Sequence, residues 1–321
     1  MSLKNLGWSE QFEPQARLRQ TNAALKPARV VTIHRHQLRV HDGNSNYELP
    51  IRGRWFSSED SQRPAVGDWV LASKDQPHLT ELLPRLNAIK RNVPQQPEPQ
   101  TIAANVNLIF IVISCTEDIN ESKLERYLAL AELSNTLPHI VLSKRDLVPN
   151  FNSFVKRILR LAYRASLFVV DCRERADLDP LRSLLKEGVT GLFMGASGVG
   201  KSTIINTLLG AEVQRTAQTR AHDQKGRHTT SSRRLFLLQD GGLIIDIPGV
   251  RELAIANSKV SLELTFPDIE SLIARCNFSN CSHTNEPDCQ IQAARQDGIL
   301  EERRFNNYLS LVTQSASITN D

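Results

Sequence analysis

Apolar runs in the middle of the chain indicate the predicted elements of regular structure. Runs at 103–114, 138–142, 167–170, 191–194 and 242–247 have the composition of buried strands, and 124–131 and 203–209 have helical spacing. We therefore predict an α/β fold for the region from 101 to 258.

The N-terminal region has a different pattern, in which short β-rich runs are separated by turn signals. The runs lie at 28–33, 37–40, 47–51 and 67–72, with turns at 42–43 and 64–67. These four runs indicate most of the five short strands of a small OB-type β-barrel, a fold that commonly binds nucleic acid. We assign the barrel to 29–93, after an N-terminal extension at 1–28.

Two further segments complete the predicted organisation. Residues 94–100 hold three prolines, which favour an extended linker between the barrel and the α/β region. The last module covers 259–321, with an amphipathic helix from about Gln290 to Val312 and a disordered tail from Ser315 to Asp321.

Composition favours a cytoplasmic protein without a membrane segment. No apolar run approaches the ~20 residues that a transmembrane helix needs, and the first residues do not resemble a signal peptide. The chain has five cysteines, and three of them fall within 276–289. This distribution favours a metal site in a reducing compartment over a disulfide framework.

The clustered cysteines form a candidate zinc site. Cys276, Cys281, His283 and Cys289 offer three thiolates and one imidazole in the pattern Cys-x4-Cys-x-His-x5-Cys. This donor set suits tetrahedral Zn²⁺, and because it fills all four positions the ion would be structural rather than catalytic. The alternative is a group of free cysteines beside a histidine.

The net charge of +4 is concentrated in the N-terminal region. Residues 1–93 hold 14 lysines and arginines against 9 acidic residues, whereas the rest of the chain holds 25 against 26. A basic barrel would bind RNA by neutralising its phosphates. Arg52, Arg54 and Trp55 form a candidate basic and aromatic cluster, and the alternative is a solvated barrel face with Trp55 in the core.

A complete phosphate loop of the form Gly-x4-Gly-Lys-Ser lies between the strand at 191–194 and the helix at 203–209. The backbone N–H groups of such a loop surround phosphate oxygens, its lysine reaches the β- and γ-phosphates, and its serine hydroxyl binds Mg²⁺. The loop therefore predicts a nucleoside triphosphate site with Ser202 as a magnesium ligand. The candidate nucleotide contacts are Gly195, Ala196, Ser197, Gly198, Val199, Gly200, Lys201, Ser202 and Thr203.

A second motif, Asp246-Ile-Pro-Gly249, closes the strand at 242–247. Alone it is a common turn. After a phosphate loop it is typical of the γ-phosphate sensor of GTPases, in which the aspartate holds Mg²⁺ through water and the glycine amide meets the γ-phosphate. The polar segment at 224–231 is a candidate switch, from which Thr229 or Thr230 would offer a second hydroxyl to Mg²⁺.

A base-recognition motif, Ser143-Lys144-Arg145-Asp146, follows the apolar run at 138–142. In GTPases the related Asn/Thr-Lys-x-Asp motif lies beside guanine. Its aspartate accepts hydrogen bonds from the ring N–H and the amine, which adenine cannot supply. Alone, the tetrapeptide equally fits a helix cap or a turn. Beside the other motifs it indicates GTP rather than ATP.

The base-recognition motif precedes the phosphate loop, which is a circular permutation of the usual GTPase order. The chain also has the Gly-Arg-His-Thr-Thr switch and the Cys/His cluster. With these three features it resembles the ribosome small subunit-dependent GTPases, the RsgA or YjeQ family. The resemblance implies an α/β, circularly permuted P-loop GTPase domain with an N-terminal OB-type β-barrel and a C-terminal zinc-binding α-helical module. It also implies GTP and GDP with Mg²⁺ as ligands, and the 30S subunit with its 16S rRNA as partners. We expect a monomer.

The resemblance also points to the residue that orients the attacking water. Ras-like enzymes place a glutamine after the Asp-x-x-Gly motif, whereas this chain has Val250, which cannot orient water. His228 in the switch is the catalytic candidate, because a histidine at this position is linked to hydrolysis in the family. The alternative is that His228 only anchors the switch or contacts RNA.

Two departures from the family pattern affect the guanine site. Ser143 replaces the usual Asn or Thr, and Asp171-Cys172 stands where the family has Ser-Ala-Lys or similar. The backbone amide of Cys172 would still contact the guanine carbonyl. We expect weaker nucleotide affinity with unchanged specificity, because Asp146 is present.

Two functions stay open at this point. The first is a ribosome-stimulated GTPase in late maturation of the small subunit. The second is an RNA-binding assembly factor with a slow or degenerate nucleotide switch, which the changes at Ser143 and Asp171 motivate. A P-loop ATPase is disfavoured by Asp146 and by the motif at 246–249.

Overall fold

The computed structural model describes most of the chain. The described residues are 2–20, 24–34, 36–51, 53, 55, 63–73, 79–91, 99–162, 164–211, 233–247, 262–263 and 265–316. Within these ranges, no helix combines the length and the apolar character that a lipid bilayer crossing requires.

Short antiparallel strands form the N-terminal barrel. They are β1 (Lys26–Ile33), β2 (Gln37–His41), β3 (Asn46–Pro50), β4 (Trp69–Ala72) and β5 (Leu79–Leu82), in the order β3-β2-β1-β4-β5. Alternate residues such as Val30, Leu38, Val40 and Leu49 are fully buried in a core inside the barrel. The predicted strands are confirmed, and their order fits a five-stranded, partly open barrel.

The buried side chain of Arg29 joins the barrel to its neighbours. Helix α1 (Glu13–Arg19) precedes the barrel, and the hairpin of β6 (Ala88–Arg91) and β7 (Gln100–Ala104) follows it. The Arg29 guanidinium donates to the carbonyls of Leu6, Gly67 (3.1 Å) and Asn105 (3.0 Å). Burial lowers the pKa of Arg29 to about 9. One side chain thus bonds the N-terminal extension, the barrel and the segment that leads into the α/β region.

The predicted linker falls between β6 and β7. Its residues 94–98 lie outside the described residues, and its last residue, Gln100, begins β7. Arg91 at the end of β6 pairs with Gln100 at the start of β7.

A mainly parallel sheet forms the middle of the chain. Its strands are β8 (Leu108–Ser114), β9 (Leu137–Ser143), β10 (Ser166–Val169), β11 (Thr190–Gly195), β12 (Arg234–Leu237) and β13 (Leu243–Asp246), in the order β10-β9-β8-β11-β13-β12. Only β12 runs antiparallel to its neighbour β13 among these strands. The chain leaves β8 towards β10 and returns to β11 on the other side of β8. The carboxyl ends of β8 and β11 therefore flank the kind of crevice where α/β sheets bind ligands.

Helices cover both faces of the parallel sheet. They are α2 (Glu121–Leu133), α3 (Asn152–Leu161), α4 (Asp179–Leu184) and α5 (Lys201–Leu209), with short 3₁₀ helices at Lys4–Leu6, Arg145–Leu147 and Ala176–Leu178. Ile109 and Ile111 of β8 lie in the core with α2 and α3, whereas Phe110 and Val112 lie in the core with α4 and α5. Both faces are buried, which explains why these strands read as continuous apolar runs.

The C-terminal module consists of short helices rather than one long helix. They are α6 (Pro267–Ile273), α7 (Gln290–Gln296) and α8 (Glu302–Ala316). The predicted single helix from Gln290 to Val312 is wrong, because the chain leaves α7 through Gly298 at φ +70°, a left-handed turn that ends a helix. The predicted tail is also too long, since α8 includes Ser315 and Ala316, and residues 317–321 lie outside the described residues.

An ion-pair network attaches α8 to α2. The fully buried carboxylate of Glu125 accepts from Arg303 (3.2 Å), Arg304 (2.6 Å) and Asn307 (2.6 Å). One turn earlier, Glu121 pairs with Arg303 at 2.6 Å. Helix α2 therefore packs on the parallel sheet with one face and holds the C-terminal module with another.

The network gives a stability prediction. Glu125→Gln should lower the free energy of unfolding by about 2–4 kcal/mol, because it removes the shared negative charge from two partly buried arginines. Urea unfolding followed by circular dichroism measures the change. Glu132→Gln is the control on the same helix, since Glu132 forms no ion pair with a described residue, and should change stability by less than about 0.5 kcal/mol. Equal effects of the two substitutions would contradict the importance of the network.

Candidate functional site

The phosphate loop bends sharply between β11 and α5, and two glycines permit this path. Gly195 has φ +148°, and a Cβ there would lie 2.3 Å from the carbonyl oxygen of Val112 on β8. Gly200 has φ +103°, and a Cβ there would lie 3.0 Å from the Sγ of Cys172. Both positions combine an unusual backbone with a close neighbour, so both require glycine.

Lys201 begins α5 and reaches back over the loop. Its Nζ donates to the carbonyls of Gly195 (3.0 Å) and Ala196 (2.5 Å). Ser202 and Thr203 follow in the first helical turn and are half-buried. The ammonium thus lies over the loop at the N-terminus of α5, a position that favours phosphate binding. The remaining loop residues are Ser197 and Gly198, both exposed, and Val199, which is buried.

One hydroxyl joins the base-recognition segment to the phosphate loop. Ser143, the last residue of β9, is fully buried, and its Oγ lies 2.6 Å from the carbonyl oxygen of Val199 and 3.0 Å from that of Ile113. Its single proton is donated to one of these carbonyls at a time. The serine, which departs from the usual Asn or Thr, therefore contacts both β8 and the phosphate loop.

The residues after Ser143 turn away from the sheet. Lys144 has φ +60°, and the following 3₁₀ helix leaves Asp146 exposed beyond the end of β9. Arg145 pairs with both carboxylate oxygens of Asp177, at 2.6 and 2.7 Å. The same carboxylate accepts from the amide of Asp171 at 2.8 Å. Asp177, which the sequence analysis missed, thus connects the base-recognition segment to the segment after β10.

Cys172 lies between these segments and α5. Its side chain is buried below Gly200, and burial raises the pKa of its thiol, which is therefore neutral. Its carbonyl accepts from the hydroxyl of Thr207 on α5 at 2.7 Å. Thr207 was also missed, because no local motif marks a threonine that bonds a distant carbonyl.

Asp246 ends β13, which neighbours the phosphate-loop strand. Its side chain is buried, and it pairs in register with Phe193 of β11 and Arg234 of β12. It therefore lies at the carboxyl edge of the sheet, on the strand next to the one that leads into the phosphate loop. The other predicted contacts, Gly249, His228, Thr229 and Thr230, lie outside the described residues.

The predicted zinc ligands are grouped between α6 and α7. The ligand atoms of Cys276, Cys281, His283 and Cys289 all lie within 4.8 Å of one another. The Nδ1 of His283 is 3.7 Å from the Sγ of Cys276 and 3.5 Å from that of Cys289. Tetrahedral zinc, with Zn–S of about 2.3 Å and Zn–N of about 2.0 Å, would hold such atoms about 3.5 Å apart. The four residues therefore fit this ion.

Neighbouring groups support the ligand loop. Glu286 accepts from the amides of Ser282 (2.7 Å) and Thr284 (3.0 Å), and its hydrogen bonds with Ser282 lower the pKa of its carboxyl to about 2. Burial lowers the pKa of His283, which favours the neutral imidazole that binds metals.

The predicted basic cluster of the barrel is only partly described. Arg52 and Arg54 lie outside the described residues. Trp55 is half-buried and packs against the barrel core. This agrees with the alternative in which Trp55 is a core residue of the barrel.

The chain is similar to members of one protein family over nearly its whole length. The family model described as RsgA GTPase matches residues 82–256. A small ribosomal subunit biogenesis GTPase, RsgA 2, from Vibrio parahaemolyticus is 39% identical over 321 residues, covering 98% of this chain and 86% of that protein. A protein of the same name from Listeria monocytogenes is 36% identical over 317 residues, covering 98% of this chain and 90% of that protein.

Two solved structures share the fold. The crystal structure of YjeQ from Thermotoga maritima has a TM-score of 0.62 and 21% identity, and the match covers 91% of this chain and 99% of that one. YloQ, described as a circularly permuted GTPase, has a TM-score of 0.59 and 23% identity, with coverage of 94% and 98%. The predicted fold class is confirmed, with the base-recognition strand β9 before the phosphate loop in the chain.

The loop geometry predicts unequal effects of alanine at two of its glycines. Gly195→Ala should destabilise the protein by about 3 kcal/mol or more, because the new Cβ would collide with the backbone of β8. Gly198→Ala is the matched control: φ is +84°, but no atom lies within 4 Å of the new Cβ. It should cost only the left-handed strain, about 1–2 kcal/mol. Urea unfolding measures both values, and equal costs would contradict the close approach of the loop to β8.

Proposed function

Because the chain belongs to the RsgA GTPase family, whose members are GTP hydrolases, we propose that it is a small-subunit biogenesis GTPase that binds the 30S subunit and hydrolyses GTP in response. The observation that carries this proposal is the junction at Ser143. There the segment that ends in Asp146 is bonded to the phosphate loop, so a guanine and its phosphates can be bound together.

We assign the nucleotide-binding residues the roles that their motifs have in GTPases. The amides of 195–203 surround the phosphates, and Lys201 exchanges two loop carbonyls for phosphate oxygens. Ser202 and Asp246 would hold Mg²⁺, whose charge would stabilise the phosphates. Asp146 accepts from the guanine ring, and Lys144 packs on its face. The amide of Cys172 donates to the guanine carbonyl.

The hydrolytic step is assigned to the switch. His228 orients the attacking water, since Val250 cannot, and Thr229 or Thr230 provides a further hydroxyl for Mg²⁺. Gly249 donates its amide to the γ-phosphate. Of these three roles, that of His228 rests on the family resemblance, and those of the threonine and of Gly249 rest on the GTPase motifs. A purely anchoring or RNA-binding role for His228 is the alternative.

The flanking modules are proposed to bind the subunit. The barrel at 29–93 contacts 16S rRNA through its basic charge, and the module at 259–321 presents a surface stabilised by one structural Zn²⁺. The extension at 1–28 precedes the barrel, and the linker at 94–100 lies between the barrel and the GTPase domain at 101–258. The protein acts as a monomer in the cytoplasm.

The competing hypothesis is an assembly factor with a degenerate nucleotide site. It was motivated by Ser143 and Asp171. In the structure the Ser143 hydroxyl donates to the Val199 or the Ile113 carbonyl, and the amide of Asp171 donates to Asp177. Both departures therefore have defined hydrogen-bond partners, which supports the enzyme.

The direct test is GTP turnover by the purified protein with and without 30S subunits. We expect stimulation of about tenfold or more, which corresponds to lowering the barrier by about 1.4 kcal/mol, and no turnover of ATP. Binding of 30S subunits with unchanged turnover would favour the assembly-factor hypothesis instead.

Guanine recognition gives a specificity prediction. Asp146→Asn should weaken GTP binding about 100-fold or more and improve binding of xanthosine triphosphate, because the amide matches the altered ring. Fluorescent nucleotide titration measures both affinities. Asp240→Asn is the control, since this exposed carboxylate lies in the turn between β12 and β13. Unchanged GTP affinity in Asp146→Asn would show that the base-recognition assignment is wrong.

The zinc site gives a metal-content prediction. The purified protein should hold one Zn²⁺ per chain by elemental analysis, and Cys281→Ser should lose most of it. Chelation should also lower the melting temperature by more than about 5 °C, because the ion stabilises a small core. Cys115→Ser, which changes a cysteine outside the cluster, should retain zinc. Full metal content in Cys281→Ser would contradict the ligand assignment.

A further inference from the structure

Two segments carry the proposed contacts to the guanine ring. Asp146 lies beyond the end of β9, and the amide of Cys172 lies beyond the end of the neighbouring strand β10. At the strand ends the Val170 amide donates to the Leu142 carbonyl at 2.9 Å, but the bond from the Arg145 amide to the Val170 carbonyl is longer, at 3.4 Å. The backbone pairing thus weakens before the proposed base contacts are reached, so side chains have to fix the separation of the two segments.

The carboxylate of Asp177 bonds both segments. Its Oδ1 accepts from the Arg145 guanidinium at 2.7 Å, and its Oδ2 accepts from the same guanidinium at 2.6 Å and from the Asp171 amide at 2.8 Å. A two-point contact between a guanidinium and a carboxylate fixes orientation as well as distance. Arg145 and Asp171 are the chain neighbours of Asp146 and Cys172, so one carboxylate restrains both proposed base contacts.

Asp177 is itself held by its surroundings. It lies in the 3₁₀ helix Ala176–Leu178, directly before α4. Its side chain is only 18% exposed, and the next residue, Leu178, is buried in the core beneath α4 and α5. The carboxylate is therefore mounted on a packed element, which is the kind of support that keeps the groups bonded to it in a fixed geometry.

The segment after β10 leaves one backbone donor for a ligand. Asp171 closes a short turn in which its Oδ1 accepts from the Arg173 amide at 2.9 Å. The amide of Cys172, between these two residues, donates to no described residue. Cys172 is buried, and buried backbone N–H groups are rarely left without an acceptor. The turn that Asp177 holds therefore presents a donor that fits the proposed bond to the guanine carbonyl.

The separation of the two segments matters because guanine and adenine differ along one edge. Guanine presents a carbonyl and a ring N–H where adenine presents an amine and a bare ring nitrogen. Against adenine, the Cys172 amide would face another donor, and the Asp146 carboxylate would face another acceptor. Such mismatches exclude a ligand only where the protein groups cannot move apart.

We infer that Asp177 is a positioning residue that determines the preference for guanine over adenine. Acting through Arg145 and Asp171, its carboxylate keeps Asp146 and the Cys172 amide at the separation that guanine requires. The inference rests on the proposed function, which supplies the two base contacts, and it adds the group that holds them together.

The affinities for GDP and ADP test the inference, measured by competition against fluorescent GDP. Both nucleotides use the same phosphate loop, so the ratio of their affinities reports the base site. Asp177→Ala should weaken GDP binding about tenfold and leave ADP binding unchanged, because adenine makes neither base contact. Asp177→Asn keeps an acceptor for the Asp171 amide and should weaken GDP binding only about threefold.

Arg145→Gln approaches the same contact from its other side. It should weaken GDP binding about threefold, since the Asp171 amide keeps its bond to the carboxylate. Combined with Asp177→Ala it should add nothing to the effect of Asp177→Ala alone, because both changes break one contact. Arg145 is 42% exposed, so Arg145→Gln tests the inference even where Asp177→Ala does not fold.

Asp179→Asn and Arg175→Gln are the matched controls. Both side chains are exposed beside Asp177, form no ion pair with a described residue, and should bind both nucleotides as the wild type does. Equal weakening of GDP and ADP in Asp177→Ala would show a purely structural role and overturn the inference. An unchanged ratio in Arg145→Gln and in both Asp177 variants would overturn it as well. The proposed function stands in either case if the wild-type protein prefers GDP, and a wild type without that preference would overturn the proposed guanine site first.

Discussion

The hydrogen bond between the Ser143 hydroxyl and the Val199 carbonyl is the contact on which the nucleotide site depends. It joins the segment that recognises the base to the loop that holds the phosphates. These two segments come from different strands, and β8 lies between them in the sheet. The register pairs Ser114 of β8 with Ser143, and Val112 of β8 with Gly195. The hydroxyl thus connects the end of β9 to the loop after β11, two strands away, across the end of β8.

The remaining features of the site keep that contact in place. Gly195 and Gly200 let the loop pass close to β8 and Cys172, where any side chain would separate them. Asp177 and Thr207 bond the segment after β10 to the base-recognition segment and to α5. A circular permutation leaves these contacts unchanged, because they depend on which strands are neighbours and not on their order in the chain.

Local patterns in the sequence predicted the five parallel strands, because burial on both faces makes them continuous apolar runs, but not the antiparallel strand β12. The candidate motifs were recognisable because phosphate, guanine and zinc each require particular residues at fixed spacing. The junction at Arg29, the contacts of Asp177 and Thr207 and the network around Glu125 join residues far apart in the chain, so no local pattern marks them. The long C-terminal helix was wrong because amphipathic spacing continued through Gly298, where the backbone turns left-handed.

The most direct test of this account is the nucleotide affinity of Ser143→Ala, titrated with fluorescent GTP and GDP. Loss of the hydroxyl removes one hydrogen bond worth about 1 kcal/mol, so both nucleotides should bind about fivefold more weakly, with the preference for guanine over adenine retained. Ser183→Ala, which removes an exposed hydroxyl on α4, should bind as the wild type does. Unchanged affinity in Ser143→Ala would show that the base and phosphate segments are held together by other contacts, and would contradict the account.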